Sequence, residues 1–127
     1  MIGSHVILDL HNVSNDKFNE ISKNNYKKFI NDMSTIITNH NMTIITSSFK
    51  NFNSENTEDL KGAFTLLYLL SESHVSFHSW IEHNYIAIDV FTCGNCDTMS
   101  LANDIIIYFG TDVKYNIKKI DRGIINF

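Results

Sequence analysis

Apolar residues change their spacing several times along this chain, and each change marks an element. Val6-Ile7-Leu8-Asp9-Leu10 is short, β-branched and followed by polar residues, which predicts a strand. From Phe18 the apolar positions Phe18, Ile21, Tyr26, Phe29, Ile30, Met33, Ile36 and Ile37 run close to a 3.6-residue period, with Ser14 as an available N-cap, and predict one long amphipathic helix. Met42 to Phe49 returns to strand character, and the polar stretch from Asn51 to Lys61 has loop composition apart from Phe52. Ala63 to Leu70 is a continuous apolar run, expected to be a strand covered on both faces or nearly so. Val75 to Ile81 and Tyr85 to Phe91 are further strands, joined by a turn at Glu82-His83-Asn84. A second helix is expected from Asp97 or Thr98 to Phe109, with Leu101, Ala102, Ile105, Ile106 and Phe109 on its buried stripe and Gly110 just past its end. Asp112 to Ile120 alternates as a last strand.

The order β-α-β-β-β-β-α-β with short connections predicts an α+β two-layer sandwich: a mainly antiparallel sheet with two helices on one face. Such a sheet leaves its second face bare. Apolar residues on that face would need cover, and a second copy of the chain, packed sheet to sheet as a homodimer, is the expected one.

Composition narrows the function classes. The 127 residues, 43% hydrophobic and 19% charged, suit one domain over residues 1–127 with a real core and disfavour intrinsic disorder. Ten Lys+Arg against fourteen Asp+Glu, a net charge of −4, leave no basic face for nucleic acid. The Ala63–Leu70 run is far shorter than the ~20 residues of a membrane span, and the N-terminus lacks a signal-peptide pattern, so a soluble, cytoplasmic protein is expected. Two cysteines, Cys93 and Cys96, are too few for a disulfide scaffold.

Reactive residue types concentrate between Ser71 and Cys96: Ser71, Glu72, Ser73, His74, His78, Glu82, His83, Asp89, Cys93 and Cys96. A zinc site from His74, His78, His83 and the Cys-x-x-Cys pair is disfavoured, because His74 and His78 on a strand stand some 13 Å apart; no metal is expected. A thioredoxin-like role lacks its βαβ setting.

The same segment carries a more specific signal. Leu70-Ser71-Glu72-Ser73-His74-Val75-Ser76-Phe77-His78-Ser79-Trp80-Ile81-Glu82-His83-Asn84-Tyr85, continuing to Asp89-Val90-Phe91-Thr92-Cys93-Gly94, resembles the signature of prokaryotic S-adenosylmethionine decarboxylases. Gly3-Ser4-His5-Val6, Thr43 to Phe49 and Arg122-Gly123 fit the family more weakly. The resemblance implies a two-layer protomer that dimerises through its sheets, and a proenzyme that cuts itself between Glu72 and Ser73. Ser73 would become a pyruvoyl cofactor, replacing pyridoxal phosphate, and would hold the substrate amine as a Schiff base. By the same resemblance His78 is the processing base, Cys93 the proton donor to the substrate α-carbon, Glu82 the ligand of the ribose hydroxyls and Phe52 an aromatic against adenine. Thr65 keeps a hydroxyl where the family has its processing serine.

Ser73 and His78 differ by an odd number of positions, so Ser73 must lie in a turn or bulge if both serve one face. The chain departs from the family in its longer polar loop, in Leu66 for a Gly and in Ile81 for a Pro. The implied activity is therefore decarboxylation of S-adenosylmethionine to the aminopropyl donor of spermidine synthesis. A diverged pyruvoyl-dependent ornithine or arginine decarboxylase is the alternative, and a non-catalytic partner subunit is disfavoured because Ser73, His78 and Cys93 are all present.

Overall fold

The computed structural model describes residues 2–52 and 63–124. Strand β1 (Gly3–His11) leads through helices α1 (Asn15–Ser22) and α2 (Lys27–Asn39) into β2 (Ile44–Asn51). Strands β3 (Phe64–Leu70), β4 (Ser73–Trp80) and β5 (Tyr85–Cys93) follow, then α3 (Thr98–Phe109) and β6 (Lys114–Arg122). One turn of 3-10 helix, Ile81–His83, closes the β4–β5 connection, and Asn84 leaves it in a left-handed conformation. The strands form a single sheet in the order β2-β3-β4-β5-β1-β6, antiparallel at every pairing. The expected α+β two-layer sandwich is thus the observed architecture. Most of the polar loop expected over residues 51–61 lies outside the described residues.

The long first helix predicted from the apolar period is two helices. Asn24, Asn25 and Tyr26 take φ of 53°, 54° and 64°, so the chain makes a left-handed turn between them. Asparagine tolerates that region because its short side chain can bond locally. Tyr26 accepts it under tertiary constraint: its ring is fully buried, 4.9 Å from Phe49 and 5.4 Å from Phe64. The five-residue step from Ile21 to Tyr26, where a helix would put an apolar residue three or four on, is the local trace of the break.

One face of the sheet carries the core. Val6, Leu8, Leu10, Leu66, Tyr68, Val75, Phe77, Ile86, Ile88 and Val90 alternate along their strands and are buried beneath the helices. Phe29 of α2 sits at its centre, edge-on to Phe64 at 5.2 Å and to Phe77 at 6.0 Å. Buried polar groups are bonded: Ser4 Oγ pairs with Thr98 Oγ1 at 2.8 Å, and Tyr68 Oη donates to the Ile30 carbonyl at 2.8 Å. Helix α3 begins at Asp97, whose carboxylate accepts the Ser100 N–H, and ends at Gly110 with φ 103°, as the sequence predicts.

The chain itself covers only this face. Along β3, Leu66, Tyr68 and Leu70 are buried, but Leu67 and Leu69 on the other side are 48% and 51% exposed. The run from Ala63 to Leu70, expected to be covered on both faces or nearly so, is covered on one within the protomer.

Candidate active site

Antiparallel register puts directly opposed residues on the same face, so the open side of the sheet can be read in rows. One row is Leu69, His74, Phe91, His5 and Ile120; the next is Leu67, Ser76, Asp89, Ile7 and Lys118. A third is Lys50, Thr65, His78, Ala87, Asp9 and Asn116. Trp80 and Tyr85 pair beyond it. Four of the six histidines therefore lie on this face: His5, His11, His74 and His78.

At one end, a cavity of about 400 Å³ is lined by Gly3, Glu72, Ser73, Phe91, Cys93 and Arg122, among others. Gly3 leaves room for the Phe91 ring, since a Cβ there would lie 2.8 Å from it and push it aside. The Arg122 guanidinium lies 4.5 Å over the same ring, a cation–π contact. Ser73 heads β4 with φ 146°, a conformation that costs a non-glycine residue about 1–3 kcal/mol. The surroundings hold it there. The Glu72 carbonyl accepts the Cys93 N–H at 3.1 Å, the Glu72 carboxylate accepts the Thr43 N–H at 2.8 Å, and Ser71 N–H donates to the Thr43 carbonyl. Glu72, the residue before Ser73, is thus held through both its carbonyl and its side chain by segments far away in sequence.

Toward the other end, the His78 Nδ1 meets Thr65 Oγ1 at 2.5 Å. Trp80 stands edge-on to His78 at 4.3 Å, and Phe52 does so at 6.1 Å. Trp80 stacks on Tyr85 (5.3 Å), which stacks on His11 (5.0 Å), and Tyr85 Oη donates to Asp9 at 2.5 Å. Burial first, and then that bond, push the Tyr85 hydroxyl up to about 12. Between the two ends, Asp89 accepts from His5 at 3.0 Å and from Ser76 at 3.5 Å. Glu82 is exposed on the 3-10 turn after Trp80.

The residues expected from the sequence therefore fall into two groups. Glu72, Ser73 and Cys93 share the cavity, while Thr65, His78 and Phe52 cluster along the strands, with Glu82 beyond Trp80. Five residues of β4 separate Ser73 from His78, about 16 Å at a strand's rise, so the two do not meet within one chain. The turn or bulge that parity with His78 called for at Ser73 is not there: Ser73 is the first residue of β4, in register with Leu70 and Thr92, and only its φ of 146° is irregular. Among the described residues no three His, Cys, Asp or Glu side chains are grouped to hold a metal. Sequence reasoning missed Asp9, His11, Tyr85 and Arg122. Strand parity is the signal that could have found Asp9, His11 and Tyr85, since Asp9 and His11 fall on the same side of β1 as His5, and Tyr85 on the same side of β5 as Asp89; Arg122, at the end of β6, has no such local signal.

Residues 4–123 match the family described as S-adenosylmethionine decarboxylase. The chain belongs to that family. S-adenosylmethionine decarboxylase proenzymes of a Sulfurihydrogenibium and a Hydrogenobaculum species are 32% and 34% identical to it; each alignment covers 98% of this chain and 84% of the relative. The crystal structure of the adenosylmethionine decarboxylase from Aquifex aeolicus superposes with a TM-score of 0.71 at 28% identity, over 98% of this chain and 93% of that one. No described helix is long and apolar enough to cross a membrane.

Proposed function

We propose that this chain is a self-cleaving proenzyme of a pyruvoyl-dependent S-adenosylmethionine decarboxylase, whose product serves as aminopropyl donor in spermidine synthesis. The observation that carries the reading is Ser73: a serine held at φ 146°, with its preceding carbonyl hydrogen-bonded by the Cys93 N–H, at the edge of a cavity. Ser73 Oγ adds to the Glu72 carbonyl carbon, the carbonyl oxygen gathers charge against the Cys93 N–H, and the Glu72–Ser73 C–N bond breaks to leave an ester. His78 then removes the α-proton of residue 73, and the Glu72 carboxylate departs. Residue 73 becomes dehydroalanine, tautomerises to an imine, and exchanges its nitrogen for water's oxygen, releasing ammonia. The strained φ of Ser73 favours the step, because breaking that peptide releases it.

Ser73 fits the pyruvoyl group as its precursor, at a strand head open to small molecules. That group supplies a ketone for the substrate amine and a neighbouring carbonyl to take the electrons left when carbon dioxide departs. Cys93, on the same cavity, returns a proton to the α-carbon. Glu82 accepts the ribose hydroxyls and Phe52 stacks on adenine.

A second copy supplies what each protomer lacks. His78 and Thr65 stand about 16 Å along the strand from Ser73, beyond the reach of a general base. Leu67, Leu69, Ile7 and Trp80 leave the open face with more than a third of each side chain exposed. A homodimer packed sheet to sheet covers these residues and sets Ser73 and Cys93 of one protomer against His78, Thr65, Glu82 and Phe52 of the other.

The first test is the denatured intact mass of fresh protein. Two fragments, residues 1–72 and 73–127, with the second blocked at its N-terminus, are expected; a persistent single chain of 14.6 kDa would overturn the proposal. Carbon dioxide release from S-adenosylmethionine, ornithine and arginine then tests the substrate, and turnover of an amino acid alone would overturn it.

A further inference from the structure

The Cys93–Cys96 pair has no part in the decarboxylase mechanism beyond Cys93, yet its geometry is specific. Cys93 ends β5 and Cys96 precedes α3, and the Cys96 N–H donates to the Cys93 carbonyl at 3.1 Å, closing a tight turn. A turn of that kind brings the two Cα atoms within the range a disulfide spans. The two sulfurs already stand 3.8 Å apart, with the Cys93 thiol donating to Asn95 Oδ1 at 3.2 Å. Cys93 is exposed on the cavity that holds Ser73, and Cys96 sits half-buried behind it.

We propose that Cys93 and Cys96 form a reversible disulfide that switches the enzyme off under oxidising conditions. The oxidant is a low-molecular-weight disulfide. The Cys93 thiolate attacks one of its sulfurs, forming a mixed disulfide and releasing one small thiol; the Cys96 thiolate then attacks the Cys93 sulfur and releases the second. Two protein thiols are oxidised, one small disulfide is reduced to two thiols, and the protons of the cysteines end on those thiols. Cys93 is the entry point because, of the two sulfurs, it is the one on the cavity that admits small molecules. Cys96 is the resolving residue, because burial and the neighbouring Cys93 hold its thiol up and keep it protonated until the mixed disulfide forms beside it. In the closed form Cys93 has no proton to give, so decarboxylation stops, and a dithiol reductant restores it.

The part of this that concerns activity rests on the decarboxylase reading; the disulfide itself does not. The purified protein is incubated with oxidised glutathione, and the intact mass and S-adenosylmethionine decarboxylation are followed together, before and after dithiothreitol. The expected result is a loss of two hydrogen masses from the fragment 73–127, a fall in activity of about tenfold or more, and recovery of both on reduction. Cys96→Ser should keep the reduced activity, accept one glutathione adduct at Cys93, and form no internal bond. An unchanged wild-type mass, or a stable adduct without ring closure, overturns the disulfide. Closure with full activity retained overturns the switch. Wild-type protein that is inactive when reduced overturns the decarboxylase reading and its control, while the mass still decides whether the disulfide forms.

Discussion

If the catalytic groups divide between two protomers, a chain lacking Ser73 and a chain lacking His78 should rescue each other. Ser73→Ala removes the nucleophile, and His78→Ala removes the base; each variant alone should remain uncut. The alanine at position 78 costs about a hundredfold or more in rate, the usual contribution of a positioned general base. Ser73 and His78 of one chain lie about 16 Å apart along β4, against the roughly 3 Å over which a proton moves. No side-chain rotation within a protomer closes that gap. In a mixed dimer, however, the His78→Ala chain keeps its own Ser73 and faces an intact His78 on its partner. Co-expression in equal amounts makes about half of all dimers mixed, so about a quarter of all chains should be cut, every one of them the His78→Ala chain. Differently tagged variants, separated by gel and weighed by mass spectrometry, identify which chain is cleaved. Cleavage of the His78→Ala chain alone, with no partner present, would refute the reasoning, as would an uncut mixture in which mixed dimers are recovered on the tags.

Two further perturbations test how the site is held. The hydroxyl of Tyr85 is raised from 10.0 to about 12 by burial and by Asp9, so the folded state favours its neutral form. That contribution to stability is fully present below pH 10 and is lost as pH rises toward about 12. The tyrosinate absorbance lost in Tyr85→Phe should titrate near pH 12, and a difference titrating at 10 would dismiss the Asp9 contact. Asp97 caps α3 by accepting the Ser100 N–H at 3.0 Å, so Asp97→Ala should cost about 1 kcal/mol and a few degrees in Tm, while Asp97→Asn should cost less. Equal melting of the alanine and asparagine variants would count against the cap.

Much of this was legible because the information is local. Strand alternation and the helical period are properties of neighbouring residues, so the order of elements, the capped ends of α3 and the exposed second face follow from the chain read alone. The motif around Glu72, Ser73, His78 and Cys93 points to the family without a fold. The break between α1 and α2 was not read, because the apolar period resumes after Tyr26 and only the Phe49 and Phe64 rings around Tyr26 show why the chain turns there.

The sequence alone therefore determined which residues alternate on most strands, the layer the helices cover and the stretch in which reactive residue types concentrate. Tertiary structure decided what those groups touch. Glu72 and Ser71, the residues before Ser73, are bonded by Thr43 and Cys93, which come from distant segments, so no local pattern around residue 73 could announce its φ. Register across five pairings put Asp9 and His11 of β1 beside Tyr85, and Tyr85 beside Trp80, since cross-strand neighbours depend on how distant segments align. The same register, together with the length of β4, held His78 away from Ser73.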